Sequence, residues 1–492
     1  MKKRFTIMTL ALCASLTVSA QVENDWNHKV KEAQENNKKH YEEYRQQVLQ
    51  DYENFRRQIN ADYARFMEEA WKHFEANPAE EIPWQPKPPQ PIVADPQPNP
   101  TSDPIPYTLA PIGPKPIDSP QPIEPIVYKP KPQETADAIR FFGTDMRFHF
   151  DKSKQIKLEE VNEKSVAALW LQLSEPCFDN LIADCLSNRT EFNLSDWGYI
   201  MLTKQVAETL CSGHTNEAVV LHMFLLTQSG FQVRIGLDEQ KHLCVLIGSL
   251  EKIYHFEFFP IDGVRYYNFN NDLQHKHINI FDHAFPQEKT ISLRMSQPRL
   301  AVSPTEPRTI KSKRFPDVSV TVVTNQNLID FYNSCPLSSQ WNYYSAASVS
   351  STLKESLYPA LHKAIEGKSQ GEAANILLNF VQTGFAYATD HDQFGYERPL
   401  YPDESFYYPF NDCEDRSALF SCLVRELLGL DAVLLDYPEH LATAVRFTDP
   451  VAGDYLDIDG KRYIICDPTY IGAEIGRCMP RYKSVRPKIQ KF

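Results

Sequence analysis

Apolar and polar positions along the chain fall into distinct regimes, and each predicts a different kind of structure. Between residues 22 and 76 the chain is polar, charged and free of proline. Within it, Tyr41–Asp51, Tyr52–Asp62 and Tyr63–His73 repeat at a constant length of 11 residues. The repeated apolar positions are Tyr41/Tyr52/Tyr63/Phe74, Tyr44/Phe55/Phe66 and Val48/Ile59/Ala70. Eleven residues in three turns is about 3.67 per turn, so the stripe runs nearly straight along one long helix. Two arrangements suit it: an arm that pairs with another helix or an envelope partner, or a helix folded back onto its own body. Residues 78–132 then carry 19 of the 36 prolines. With φ fixed and no donors at those positions, this segment is expected to be extended polyproline II, a spacer reaching on the order of 170 Å.

Beyond the spacer the pattern becomes globular. Residues 136–290 mix helical and strand periods, and 290–323 alternate apolar and polar as joining strands. Leu357–Ile365, with Pro359 in its first turn, and Glu372–Val381 read as helices. Residues 385–410, rich in Tyr, Phe, Pro and Asp, read as a loop framing a cleft. Asp412 caps a further helix with Asp415 three residues on; Ala418, Leu419, Cys422, Leu423 and Leu427 follow at helical spacing, and Gly429 ends it. Val433–Leu435 and Leu441–Phe447 read as strands, and Asp459-Gly460 turns the chain into a returning strand, Lys461–Cys466.

Composition narrows the class. The net charge is -13, which argues against a nucleic-acid partner. Residues 1–20 read as a secretory signal peptide: Lys2, Lys3 and Arg4, an apolar run over Phe5–Leu16, and Val18-Ser19-Ala20 before the cleavage point. No other run is long enough to cross a bilayer. The expected location is therefore secreted or periplasmic. Nine cysteines remain after cleavage, an odd number that leaves at least one free thiol in a monomer; Cys177 and Cys185 are near enough in sequence to bridge. No pair has C-x-x-C spacing, so neither a metal nor another cofactor is expected. The C-terminal residues 481–492 read as a basic, solvated tail.

The chemistry concentrates in N-D-C-E-D-R-S at 411–417, P-E-H-L-A-T-A-V at 438–445 and I-I-C-D-P-T-Y at 464–470. Cys413 opens the helix, His440 opens a strand, and Asp467 follows the strand that returns beside it. An antiparallel pairing sets Asp467 by His440, and packing the helix on that sheet brings Cys413 to the same edge. A helix N-terminus and an imidazolium stabilise a thiolate, and a carboxylate orients the imidazole. Glu414 and Asp415 work against a thiolate if they face it. Taken singly, the three are a buried thiol, a core histidine and a strand-end cap; in this order within one segment they argue for chemistry.

These motifs resemble the transglutaminase-like superfamily, including the bacterial transglutaminase-like cysteine peptidases. The resemblance covers about residues 325–476 and takes in L-L-N-F-V-Q-T-G-F-A-Y-A-T-D at 377–390. It implies an α+β papain/transglutaminase-like core, with Cys413 as nucleophile, His440 as base and Asp467 as the orienting carboxylate. Related enzymes place an oxyanion donor, Trp or Gln, on the upstream helix, where Gln382 is the polar candidate. The helix–strand–strand pattern recurs at 212–246: aligning Gly230 with Gly429 sets His214 opposite Cys413, with His242 in the place of His440, and matching Pro260 to Pro468 sets Phe259 opposite Asp467. Residues 136–290 thus read as a degenerate copy lacking the nucleophile. The expected organisation is a signal peptide (1–20), helical arm (21–77), proline-rich linker (78–134), degenerate domain (135–289), connecting strands (290–323), catalytic domain (324–480) and tail (481–492). The implied function is a secreted thiol enzyme acting on a protein or peptide carboxamide through a Cys413 thioester. Hydrolysis is slightly favoured over cross-linking. The alternative is a non-catalytic envelope module on the same fold.

Overall fold

A computed structural model describes residues 31, 35, 38–83, 87, 88, 90–95, 104–108, 119–123, 126–128, 135–213, 215–270 and 277–492. The expected signal peptide, residues 1–20, and His214 lie outside the described residues. The chain divides into Met1–Asp62 and Tyr63–Phe492. Helix α1 runs over residues 38–67. In the first unit its stripe is largely bare, with Tyr41, Tyr44, Tyr52 and Phe55 exposed. In the second unit the stripe enters a core. Tyr63 is buried, its ring centroid 5.0 Å from those of Trp170, Phe281 and Phe285. The repeat does not stay helical to its end: residues around Phe74 form a strand, because they complete a sheet edge.

The second unit continues through β1 (Lys72–Glu75), β2 (Pro104–Thr108), the hairpin β3 (Thr135–Phe141) and β4 (Thr144–Phe150), and helices α2 (Glu163–Leu173), α3 (Asp179–Glu191), α4 (Asp196–Leu210) and α5 (Asn216–Gln228). Strands β5 (Val233–Leu237), β6 (Leu243–Ser249), β7 (Phe258–Ile261), β8 (Val264–Asn268) and β9 (His277–Phe281) follow. A hairpin, β10 (Arg308–Lys311) and β11 (Ser319–Val322), leads to α6 (Gln326–Asn333), α7 (Trp341–Ala346), α8 (Ser351–Ile365), α9 (Gln370–Gly384), α10 (Asp390–Phe394), α11 (Pro402–Tyr407) and α12 (Cys413–Leu423). The chain closes with β12 (Asp431–Tyr437), β13 (His440–Arg446), β14 (Tyr455–Ile458), β15 (Lys461–Cys466) and β16 (Lys488–Gln490).

The architecture is α+β, and its two six-stranded sheets repeat one plan. Their orders are β1-β9-β5-β6-β8-β7 and β16-β12-β13-β15-β14-β2. Without the extra edge strand, each reads fifth, first, second, fourth, third. Each is preceded by a buried helix, α5 or α12, that ends at a left-handed glycine, Gly230 or Gly429. All eleven residues of α12 are buried, so it carries no polar stripe; it is enclosed by α7, α9 and the sheet. Asp459 and Gly460 both take positive φ, the two-residue turn that Asp-Gly favours between β14 and β15. The two halves are not separate bodies. Contacts such as Tyr254 N–H to the Leu337 carbonyl and Trp197 Nε1–H to Ser334 Oγ join them within one unit.

Four local expectations need correction. Helix α8 starts at Ser351, capped by Ser350, so Pro359 sits in its interior rather than its first turn. The tail is not a solvated appendage: β16 pairs with β12, Ile489 is buried, and Phe492 packs on the core. Cys177 and Cys185 are not bridged to each other, and no disulfide forms among the nine described cysteines. The proline-rich segment is not a free spacer. Ile92 and Ala94 pack on the second half's core, Ala94 N–H and the Ile92 carbonyl bond to Ile471, and β2 joins β14 in parallel. Prolines remove donors but leave every carbonyl, and the residues between them still bring side chains and N–H groups to a surface. No helix among the described residues is long and apolar enough to cross a membrane.

Candidate functional site

Cys413 stands at the first position of α12, where Asp412 and Asp415 form a reciprocal capping box. Asp415 spends its second carboxylate oxygen on Leu400 N–H at 2.9 Å as well, so it faces backbone, not the thiol. Glu414 does face it: Cys413 Sγ lies 3.0 Å from Glu414 Oε2, with the thiol donating. Cys413 is only 1 % exposed and packs with Trp341, Leu434 and Leu441. Burial, then the charges of Glu414 and Asp412, push its thiol well above the usual range, while Lys87 pulls the other way. In this state the sulfur is a protonated thiol, despite the helix N-terminus beneath it.

His440 and Asp467 meet. The edges of β13 and β15 pair antiparallel, and His440 Nε2 lies 2.8 Å from Asp467 Oδ2, both side chains being buried. A carboxylate accepts, so Nε2 carries the proton and Nδ1 the lone pair. Asp467 Oδ1 accepts from Thr469 and Tyr470 N–H, which fixes the carboxylate. The Tyr482 ring lies on the imidazole, 5.1 Å between centroids at 7°. The helix and the strand are tied one turn from the thiol: Ser417 Oγ–H donates to the Leu441 carbonyl at 2.9 Å.

Gln382 takes a different place from the one expected. Its Nε2 donates to the carbonyls of Asp467, Tyr470 and Ala473 at 3.0, 2.8 and 3.0 Å. With both its amide hydrogens committed, it braces the loop that holds Asp467 and leaves no donor for an oxyanion. The indole against Cys413 comes instead from Trp341 on α7, 72 residues upstream of the thiol. A local reading of the sequence had no signal for it, because α7 reaches α12 only through the fold. Buried Arg416 was missed as well. It donates to the carbonyls of Gln382 and Phe385 at the end of α9, where a cation complements the helix dipole.

The largest surprise is Lys87, from the proline-rich segment. Its ammonium lies 2.5 Å from Glu397, 2.7 Å from Asp412 and 2.7 Å from Glu414, with the side chain 2 % exposed. Burial opposes its charge, but Asp412 and Glu414 prevail and hold it protonated, well above the usual lysine range. Burial and Glu414 in turn raise Asp412 to about 7 against Lys87. Asp390, Asp412 and Asp415 bring carboxylate oxygens within 4.8 Å of one another, as do Asp412, Cys413 and Glu414 with their ligand atoms. Such groupings suit a cation, and here the cation beside them is Lys87.

In the first half the register moves the expected correspondences. Leu246 occupies the place of Ala444, so His242 keeps the place of His440; carried on through β8, Asn270 rather than Phe259 stands where Asp467 does. Counted from the helix caps, Thr215 and Asp412, the position opposite Cys413 is Asn216. Glycine alignment misled here because the second helix spends extra residues in a π-turn, Val424–Leu428. Asn216 bridges Lys241 and Leu243, on either side of His242, and the His242 ring is paired with Asp238. A cavity of about 570 Å³ opens there, lined by Trp197, Phe256, Phe269 and a buried His222 whose Nε2 has no hydrogen-bond partner among the described residues. Comparison with known proteins adds no further constraint: no family model, curated protein or solved structure matches the chain.

Proposed function

We propose that the second half is a transglutaminase-like thiol enzyme acting on a carboxamide, with Cys413 as nucleophile. The observation that carries this reading is the His440–Asp467 pair, held beside a helix whose first residue is a cysteine. His440 Nδ1 takes the thiol proton, and the sulfur adds to the carbonyl carbon. The C–N bond then breaks, the imidazolium returns a proton to the leaving amine, and a thioester remains. Water attacks that thioester with His440 again as base, releasing the acid and restoring the thiol; an amine in its place gives a cross-link. Asp467 keeps its charge and holds the tautomer throughout. Asn216 in the first half has no nucleophilic group, which supports a binding or bracing role there. The signal-peptide pattern of residues 1–20 supports a secreted or periplasmic setting for the reaction.

A second reading, a non-catalytic envelope module, is favoured by the burial of Cys413 and by the bare aromatic stripe of α1, which suits self-association or an envelope partner. One experiment separates the two. The purified mature protein is treated with an electrophilic thiol probe and the modified cysteine is mapped. The enzyme reading expects Cys413 to be labelled during turnover of an amide substrate, and Cys413→Ser to lose labelling and turnover while remaining folded. Labelling during turnover confined to other cysteines, or unchanged turnover by Cys413→Ser, refutes it.

A further inference from the structure

Lys87 raises a question that the triad does not answer: why a lysine from far upstream fills a carboxylate cage against the candidate nucleophile. The cage is built by Glu397, Asp412 and Glu414, and Glu414 touches both the ammonium and the Cys413 sulfur. Burying these carboxylates without a cation is costly, so the cage requires a positive group. The occupant arrives on a strap held at both ends, by Glu80 to His255 and Lys252 upstream and by the backbone bonds of Ile92 and Ala94 to Ile471 downstream. Between residues 83 and 91 the described hydrogen bond besides those of Lys87 is the Pro88 carbonyl accepting from Tyr387 O–H at 3.0 Å. Prolines on both sides of Lys87 deny their own N–H donors to any firmer ladder.

We infer that the cage is a subsite for a basic side chain of the substrate, and that Lys87 occupies it in cis as a displaceable cover over Cys413. This rests on the enzyme reading above. The ligand class follows from the electrostatics. Carboxylates that hold an amine as ammonium deprive it of its lone pair, so the pocket suits a group that anchors the substrate, not an amine that attacks a thioester. An incoming ammonium also replaces the counter-charge that Lys87 gives the thiol, so displacement does not leave Cys413 facing two uncompensated carboxylates.

The test is hydroxyl-radical footprinting of the full mature chain, read residue by residue by mass spectrometry. This probe reports access and does not require a thiolate. Cys422 and Cys466, buried in the core, serve as internal controls. Lys87→Met is expected to raise modification of Cys413 and Tyr387 by about tenfold relative to these controls. n-Butylammonium, a mimic of the lysine side chain, fills the cage without restoring the cover, so in this variant it is expected to leave the rise unreversed. On the wild type, excess n-butylammonium is expected to expose Cys413 beyond what sodium chloride does at equal ionic strength. An unmoved Cys413 footprint, or a rise shared by Cys422 and Cys466, overturns the proposal. If Lys87→Met does not fold, the wild-type amine titration alone decides it. The footprint reports the cover and turnover reports the chemistry. A moving footprint without turnover therefore refutes only the enzyme, and turnover with a static footprint refutes only the cover.

Discussion

At the residue scale, Asp467 does two jobs that can be separated. Its Oδ2 meets His440, and its Oδ1 accepts from Thr469 and Tyr470. Asp467→Asn retains an acceptor for the turn but presents an amide N–H to Nε2, reversing the tautomer. The expected result is a near-native melting temperature with turnover down by about 10³–10⁴. Asp467→Ala also strands two amides, and is expected to cost a further ~1–3 kcal/mol in denaturant unfolding. His222 gives a pH prediction. Burial, then the charge of Lys204, lowers its pKa from 6.5 to about 3. As pH falls below 6.5 the unfolded chain takes up a proton that the folded chain refuses, so stability is lost between pH 6.5 and 3. The loss at pH 4 is about 3 kcal/mol. His222→Phe should flatten this acid limb relative to wild type in urea titrations at stepped pH. Equal slopes would refute the assignment.

At the element scale, the N-terminus of α12 was legible because its signals are local: Asp412 and Asp415 at capping spacing, Gly429 at the far end. The role of Gln382 was not legible. The sequence shows a polar residue on the face of an apolar helix; only the loop folded against α9 turns it into a clamp on three carbonyls. Gln382→Met should therefore release the 467–473 loop. The expected cost is about 2–3 kcal/mol of stability, with activity falling through a misplaced Asp467. A readout beyond stability is the pH–rate profile, which should shift as the imidazole loses its fixed partner. A variant that loses stability with an unchanged profile would confine Gln382 to a structural role. The π-turn at 424–428 shows a different limit. Counting back from the glycine offset the first half's helix start, because helical period does not reveal where an extra residue is absorbed.

At the scale of the whole molecule, the N-terminal segments are parts of the fold. Tyr63, from the repeat, lies among Trp170, Phe281 and Phe285, and β1 completes the first sheet beside β9. Tyr63→Ala is expected to destabilise the protein by about 3–5 kcal/mol, whereas Tyr63→Phe, which loses only a hydrogen bond to the His283 carbonyl, should cost about 1 kcal/mol. Thermal unfolding of the two variants against wild type measures this. Equal and small losses would mean that α1 is not anchored there. The shared strand order of the two sheets explains why a sequence-level alignment of the halves found the right histidine yet the wrong partner for it. Strand order is set by the whole sheet: the counterpart of β15 is β8, whereas matching Pro260 to Pro468 sets β7 in its place.

The sequence by itself determined what depends on near neighbours. It marked the eleven-residue stripe, the cap and glycine of α12, the Asp-Gly turn, and the adjacency of His440 and Asp467 that antiparallel pairing of their strands produces. Tertiary structure alone decided which side of an amide is used, as at Gln382, and which distant residues meet, as with Trp341 and Cys413. It also decided the fate of the prolines. Composition argues against a core within residues 78–132, but it does not record that another part of the chain offers a carboxylate cage to Lys87. The physical reason is range. Helix caps and turns are satisfied within a few residues, whereas a buried charge is satisfied by whichever opposite charge the fold brings to it, and Lys87 is separated from Asp412 by 325 residues.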